Sequence, residues 1–227
     1  MSDKGGSKMI VIGLDLAGPS NHKDTVLTVF KQNENHLTFK KMISNISDEG
    51  ILNEIIDLGR LDEIVIGIDA PLSYQDGGGD RISDKLLRKF IVSLGMKPGS
   101  IMPPTYTRMV YLTLRGIKLT REIEKLHTNF PVSIVEVHPG AAMGARVTEK
   151  ELEYVLTYKQ NLSSRKYLKN WFEHQNIIGL PNGVENESHS IDSCAAALAA
   201  WHWVDQSLIP QWIYTAQPPL HPFDYCC

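Results

Sequence analysis

The sequence predicts an α/β fold organised around one mixed β-sheet, and three features carry that expectation. Strand and turn signals alternate through the first third of the chain. The segment "VIGIDAPLS", residues 65–73, opens with an apolar run of the kind found in a parallel strand covered on both faces. Stretches of helical period occupy most of the remaining chain. With 227 residues and 42% hydrophobic content the chain can bury a full core, and a single domain over about 9–217 accounts for the length. Residues 1–8, "MSDKGGSK", read as a flexible polar tail, and residues 218–227 as a C-terminal tail.

Residues 8 to 16, then "DTVLTVF", then "HLTFKKMI" are strand-like and are separated by the turn-rich "GPSNHK" and "KQNEN", which predicts a three-stranded antiparallel meander. In "SDEGILNEIIDLG", Ile51, Leu52, Ile55, Ile56 and Leu58 recur at near-helical spacing and Gly59 supplies a stop. That helix feeds the strand "EIVIGIDAP", completing βββαβ. A helical insertion at about 74–130 contains "RISDKLLRKFIVSLG" and the proline-interrupted "KPGSIMPPTYTR", ahead of the strand "PVSIVEVHP". Helices resume at "TEKELEYVLTYK", where Thr148 and Glu151 have capping-box spacing, and at "SSRKYLKNWFEHQ". The last strong element is "SHSIDSCAAALAAWHWVDQ", whose Ala195, Ala196, Ala199 and Ala200 let a helix lie close on a sheet. Five strands are expected: three antiparallel, then parallel ones, flanked by helices.

Composition narrows the function classes. A formal charge of −3 and a pI near 6.2 argue against coating nucleic acid by bulk electrostatics and leave room for a localised basic groove. No apolar stretch is long enough to span a bilayer, and the first residues lack the layout of a secretory signal, so a cytoplasmic protein with no membrane partner is expected. Cys194, Cys226 and Cys227 offer neither a disulfide framework nor a Cys-x-x-Cys zinc site. A terminal Cys-Cys is a lipidation signal in some proteins, but "PPLHPFDYCC" lacks the basic run that would accompany it.

Three strand-like runs each deliver an acid: Asp15, Asp69 and Glu136. A carboxylate costs several kcal/mol or more in a core unless it is paired. If the three strands are parallel neighbours, about 4.8 Å apart per step, their C-terminal ends place these acids on one rim, where ligands of open α/β sheets bind. Asp192, on the small-residue helix, would lie close to the same sheet. Crowded acids are relieved by raised pKa values, basic partners or cations, and oxygen ligands favour magnesium or manganese.

The element order together with "GLDLAG", "IGIDAPLS", "VEVHP" and "HSIDSCAAA" resembles the domain-of-unknown-function family numbered 429, predicted nucleases of the RNase H-like superfamily. The likeness runs from Met9 to about Tyr214. It implies an RNase H-like five-stranded sheet with a helical insertion before the last strand, and two divalent ions, Mg2+ or Mn2+, held by Asp15, Asp69 and Asp192. His189, three residues before Asp192, is similar to the extra ligand of resolvase-type members. The wider superfamily does not require an acid at the position of Glu136. Relatives with this fold include nucleases, transposases, resolvases, sugar kinases and chaperone ATPases, so the chemistry of the site has to separate them.

Each candidate also has a local reading. Asp15 and Asp69 can bond backbone where a strand ends. Asp192 can favour the dipole of its helix, with Ser188 or Ser190 as cap. His189 can be an ordinary surface or hydrogen-bonded histidine instead of a ligand or proton carrier. Glu136 and His138, two apart in a strand, face the same way and can pair with each other. In the insertion, Arg81, Lys85 and Arg88 recur at i, i+4, i+7 as a substrate-binding stripe, with Arg108 and Arg115 adding to a groove; the alternative is a solvated face on which Asp84 pairs with Arg81 and Arg88. The glycine-rich "DGGGD" fits neither the Walker pattern nor G-x-G-x-x-G.

The leading expectation is a metal-dependent phosphodiesterase acting on nucleic acid, with Asp15, Asp69, Asp192, Glu136 and His189 as candidate catalytic residues and Arg81, Lys85, Arg88 and Arg108 gripping the backbone. The rivals are an actin-like phosphotransferase and a non-catalytic nucleic-acid-binding protein of the same fold.

Overall fold

The computed structural model describes residues 9–227; the tail expected at residues 1–8 lies outside them. β1 (Met9–Asp15), β2 (Val26–Asn33) and β3 (His36–Ser44) form the expected antiparallel meander. α1 (Asp48–Leu58) then leads to β4 (Glu63–Asp69), which pairs parallel with β1. The insertion carries α2 (Ile82–Ser93) and α3 (Val110–Ile123), and β5 (Val132–Val137) pairs parallel with β4. After α4 (Pro139–Gly144), α5 (Leu152–Thr157) and α6 (Leu162–His174) come β6 (Ile177–Ile178), the long α7 (Ser188–Val204), β7 (Ile213–Tyr214) and β8 (Tyr225–Cys226).

The sheet therefore has eight strands, not five, in the order β6-β3-β2-β1-β4-β5-β8-β7. The five expected strands occupy its middle. The three additional strands are two residues each, too short for a period-two pattern to register in the sequence. The segment at 218–227, expected as a tail, is corrected in the same way. Its Tyr225 and Cys226 pair with Glu136 and Val137 of β5, and Tyr225, Cys226 and Cys227 are buried. No helix among the described residues is long and apolar enough to cross a membrane.

Alternation along the strands divides the interior into two cores. Ile10, Ile12 and Leu14 of β1 and Ile64, Ile66 and Ile68 of β4 pack with Ile51 and Ile55 of α1 and Leu119 and Ile123 of α3. Val11, Val65, Val135 and Val137 pack with α4 to α7 and with Leu87 and Ile91 of α2. Each fully buried aliphatic side chain contributes about 2 kcal/mol. α1 starts where Ser47 accepts from the Gly50 N–H at 3.1 Å and Asp48 and Glu49 meet the helix dipole.

α7 is seated on the sheet by two glycines in register, Gly13 of β1 and Gly67 of β4. A Cβ on Gly13 would lie 1.8 Å from the Ser193 carbonyl oxygen, and one on Gly67 would lie 2.5 Å from that of Ala196. Only glycine beneath the alanine-rich helix allows this approach. Ser193 locks the contact, its hydroxyl lying 2.8 Å from the Gly13 carbonyl and 2.6 Å from Thr28 Oγ1. The seating carries the first turns of α7 to the C-terminal ends of β1 and β4.

Candidate metal centre

Two residues beyond Gly13 and Gly67, on the same sheet face, β1 and β4 end in Asp15 and Asp69, again in register. α7 brings His189 and Asp192 to this rim. Asp15, His189 and Asp192 each offer one ligand atom, all within 4.8 Å of one another. His189 donates from Nδ1 to Asp15 Oδ2 at 2.7 Å, which leaves Nε2 with the lone pair in the neutral ring. Asp15 and Asp192 are buried, and Asp69 is partly so.

Electrostatics separate these acids from ordinary ones. Burial pushes the Asp15 carboxyl up to about 6; the Asp192 charge adds to the rise and the hydrogen bond from His189 opposes it. Burial, then the charges of Asp15 and Asp192, raise Asp69 well above the usual carboxylate range. The hydrogen bond to Asp15 raises His189. The rim is short of positive charge.

Two residues that sequence reasoning missed complete the group. The Tyr158 hydroxyl donates to Asp192 Oδ1, and the Lys159 ammonium lies 3.1 Å from Asp192 Oδ2. The Asp192 side chain is 1% exposed and that of Lys159 is 55% exposed, so the lysine enters from solvent and ends at a buried acid. Burial opposes the charge on Lys159, but Asp192, Asp69 and Asp15 hold it charged more firmly than usual. The "TYKQN" stretch at the end of α5 has no motif that announces this role; only the fold brings it to α7.

Glu136 takes a different position. It lies opposite Ile68 on β4, so alternation turns it to the sheet face away from Asp15 and Asp69. It accepts from Arg81 Nη1 at 2.8 Å and Nη2 at 2.5 Å, and from the Leu72 N–H at 2.9 Å. Asp84 grips the same guanidinium at 3.0 and 2.7 Å. Arg81 is only 3% exposed. Glu136 and His138 do not pair with each other: His138 Nδ1 caps α4 by accepting from the Ala141 N–H, and its Nε2 donates to the Ser100 carbonyl.

The expected basic stripe is largely dismantled. Arg81 is internal, Arg88 is engaged by Asp80 and the Ile101 carbonyl, and Arg115 is buried against Asp48, Ala17 and Thr25. Their charges are spent within the protein, fastening the insertion to the sheet, although Arg81 lines the same cavity as Asp15 and Asp69. Lys85 and Arg108 remain exposed. Of the local readings for the acids, the helix-dipole role of Asp192 weakens because it is the fifth residue of α7, with no side-chain cap ahead of it.

A cavity of about 590 Å3 opens onto the rim. Asp15, Asp69, Asp192, Tyr158 and Lys159 line it together with the Arg81, Asp84 and Glu136 cluster, and Met96, Met102, Met109 and Leu112 belong to its apolar wall. Two carboxylates and an imidazole whose ligand atoms lie within 4.8 Å of one another could hold a metal ion, beside acids that burial and neighbouring negative charge push upward.

Among curated proteins and among solved structures nothing matches the chain. A family model described as protein of unknown function, DUF429, matches residues 13–212, which takes in the end of β1, the insertion and all of α7, and the chain belongs to that family.

Proposed function

We propose that the protein is a divalent-cation-dependent phosphodiesterase of RNase H-like architecture that cleaves nucleic acid. The observation that carries this reading is the meeting of Asp15, His189 and Asp192 within 4.8 Å, with Asp15 and Asp192 lining the cavity. The central strand order β3-β2-β1-β4-β5 supports the RNase H-like assignment. An Mg2+ or Mn2+ bound by Asp15, His189 and Asp192 would supply the positive charge that activates a water and stabilises the leaving oxygen. The imidazole among the donors makes manganese the first ion to test.

The protein's own side chains do the rest. Tyr158 holds Asp192 in place through its hydroxyl. His189 is oriented by Asp15 and presents Nε2. Asp69, in register with Asp15 and outside the ligand group, would accept the proton of the attacking water. The cavity and the surface set the partner class. With Arg81, Arg88 and Arg115 paired to acids, these arginines do not make a continuous cationic groove for a duplex among the described residues, while the methionine-bearing wall suits the face of a single unstacked base. A single strand or strand end is the favoured substrate.

The test is a cleavage screen over single-stranded, duplex and frayed-end DNA and RNA with Mn2+, Mg2+ or chelator. Chelator-sensitive cutting of single strands that is lost in Asp15→Asn supports the proposal. ATP-dependent phosphorylation, or chelator-insensitive binding with no cutting, replaces it with one of the rivals.

A further inference from the structure

We propose that Lys159 is the second fixed cation of this site. In this arrangement one divalent ion at Asp15, His189 and Asp192 completes the charge balance, and the ammonium takes the place of a second ion beside Asp69. The inference rests on the phosphodiesterase reading and departs from the two-ion arrangement expected from the sequence.

Three observations carry it. First, the Asp192 oxygen that would turn to a second ion is already met by a fixed positive charge: Lys159 Nζ lies 3.1 Å from Oδ2, while Oδ1 accepts from Tyr158 and keeps a lone pair for the single ion. Second, Asp69 lies outside the group of ligand atoms that come within 4.8 Å of one another, so it does not complete a second cage. Third, the charges close: Asp15, Asp69 and Asp192 carry three negative charges when ionised, matched by one divalent ion and one ammonium. A second ion would put five positive charges against three.

The ammonium is also well placed to touch substrate. The stem of Lys159 is more than half exposed and lines the cavity, and Nζ ends 5.6 Å from the Tyr158 ring centroid. A phosphodiester entering from solvent meets this charge on its way to the rim. Lysine acts here as a point charge on a non-bridging oxygen, and arginine can replace part of that function.

The experiment titrates Mn2+ into the chelator-stripped full chain by calorimetry and by electron paramagnetic resonance, for wild type, Lys159→Gln and Lys159→Arg. Circular dichroism confirms that each is folded. Hydrolysis of bis(p-nitrophenyl) phosphate at saturating Mn2+ is measured alongside. The expected result is one ion per chain in wild type and in Lys159→Arg. Lys159→Gln should take up a second ion or bind the first about tenfold more tightly, because a repelling charge has left the ligand Asp192. Its kcat should fall by about 100-fold, with partial recovery in Lys159→Arg. Two ions in wild type, or identical titrations for wild type and Lys159→Gln, overturn the inference and leave the phosphodiesterase reading standing. No Mn2+ bound by any of the three overturns both. The expected stoichiometries without hydrolysis of any phosphodiester keep the charge balance and overturn the phosphodiesterase reading instead.

Discussion

Two groups of carboxylates stand at neighbouring strand ends of one sheet, and they are neutralised to different degrees. Around Arg81, Glu136 and Asp84 share a single guanidinium through several hydrogen bonds, Leu72 donates from its backbone, and all three charged side chains are buried. Around Asp15, by contrast, three acids have one ammonium and one histidine between them, and burial and mutual repulsion raise the pKa values of Asp15 and Asp69. The first group is internally complete and ties α2 to β4 and β5. The second could hold a cation. An acid at a strand end is therefore not in itself a sign of chemistry; the compensation around it decides.

The sharpest way to break the comparison is substitution on each side. Asp15→Asn should reduce Mn2+-dependent cleavage by about 1000-fold and leave the stability of the metal-free protein unchanged or about 1 kcal/mol higher, because it relieves repulsion at the rim. Cleavage rates and urea melts with chelator read both effects. A strongly destabilised Asp15→Asn would place Asp15 with the structural group.

Glu136→Gln should behave in the opposite way. It leaves Arg81 buried with a weaker partner, so a loss of about 3 kcal/mol of stability is expected. The substitution should change Mn2+ affinity far less than Asp15→Asn does, because Glu136 lies outside the ligand group and its charge is taken up by Arg81. Calorimetric Mn2+ affinity altered as strongly as in Asp15→Asn would merge the two groups into one site.

Metal linkage discriminates next. An ion that binds only the folded state stabilises it by RT ln(1 + [L]/Kd), about 2.7 kcal/mol at a hundredfold excess over Kd. Wild type and Glu136→Gln should both gain in Tm with rising Mn2+, and Asp192→Asn should lose most of that gain. Equal responses in all three would show the ion binding elsewhere.

The smallest expected effect is in pH. Asp15 titrates near 6 when folded against 3.8 unfolded, so the folded state holds the proton more tightly. The corresponding stability is fully present below pH 3.8 and is lost as pH rises through 6. Metal-free wild type should lose stability across that window relative to Asp15→Asn, whose side chain does not titrate. Parallel pH profiles for the two proteins would show that the Asp15 carboxyl is relieved by its partners.

Much of this was legible in the chain itself. The meander, the helix at Ile51–Leu58, the central strand ending at Asp69 and the alanine-rich helix all emerge from spacing and turn residues, because each is governed by contacts within a few residues. The same local logic picked out Asp15, Asp69 and Asp192, and the family resemblance added His189. It misjudged Glu136 and the arginines of the insertion, since nothing near them in sequence shows that Arg81 folds inward to reach an acid fifty-five residues away.

The sequence by itself determined the central strands, the helix periods and the family, along with the two glycines that let α7 lie against the sheet, because apolar period and backbone permissiveness are properties of short segments. Only the tertiary structure decided which acids share a face, that Arg81 neutralises Glu136, and that Lys159 ends beside Asp192. Those outcomes depend on strand register, which flips a side chain from one face to the other with a one-residue shift, and on charge pairs whose strength is set by burial that no single segment carries.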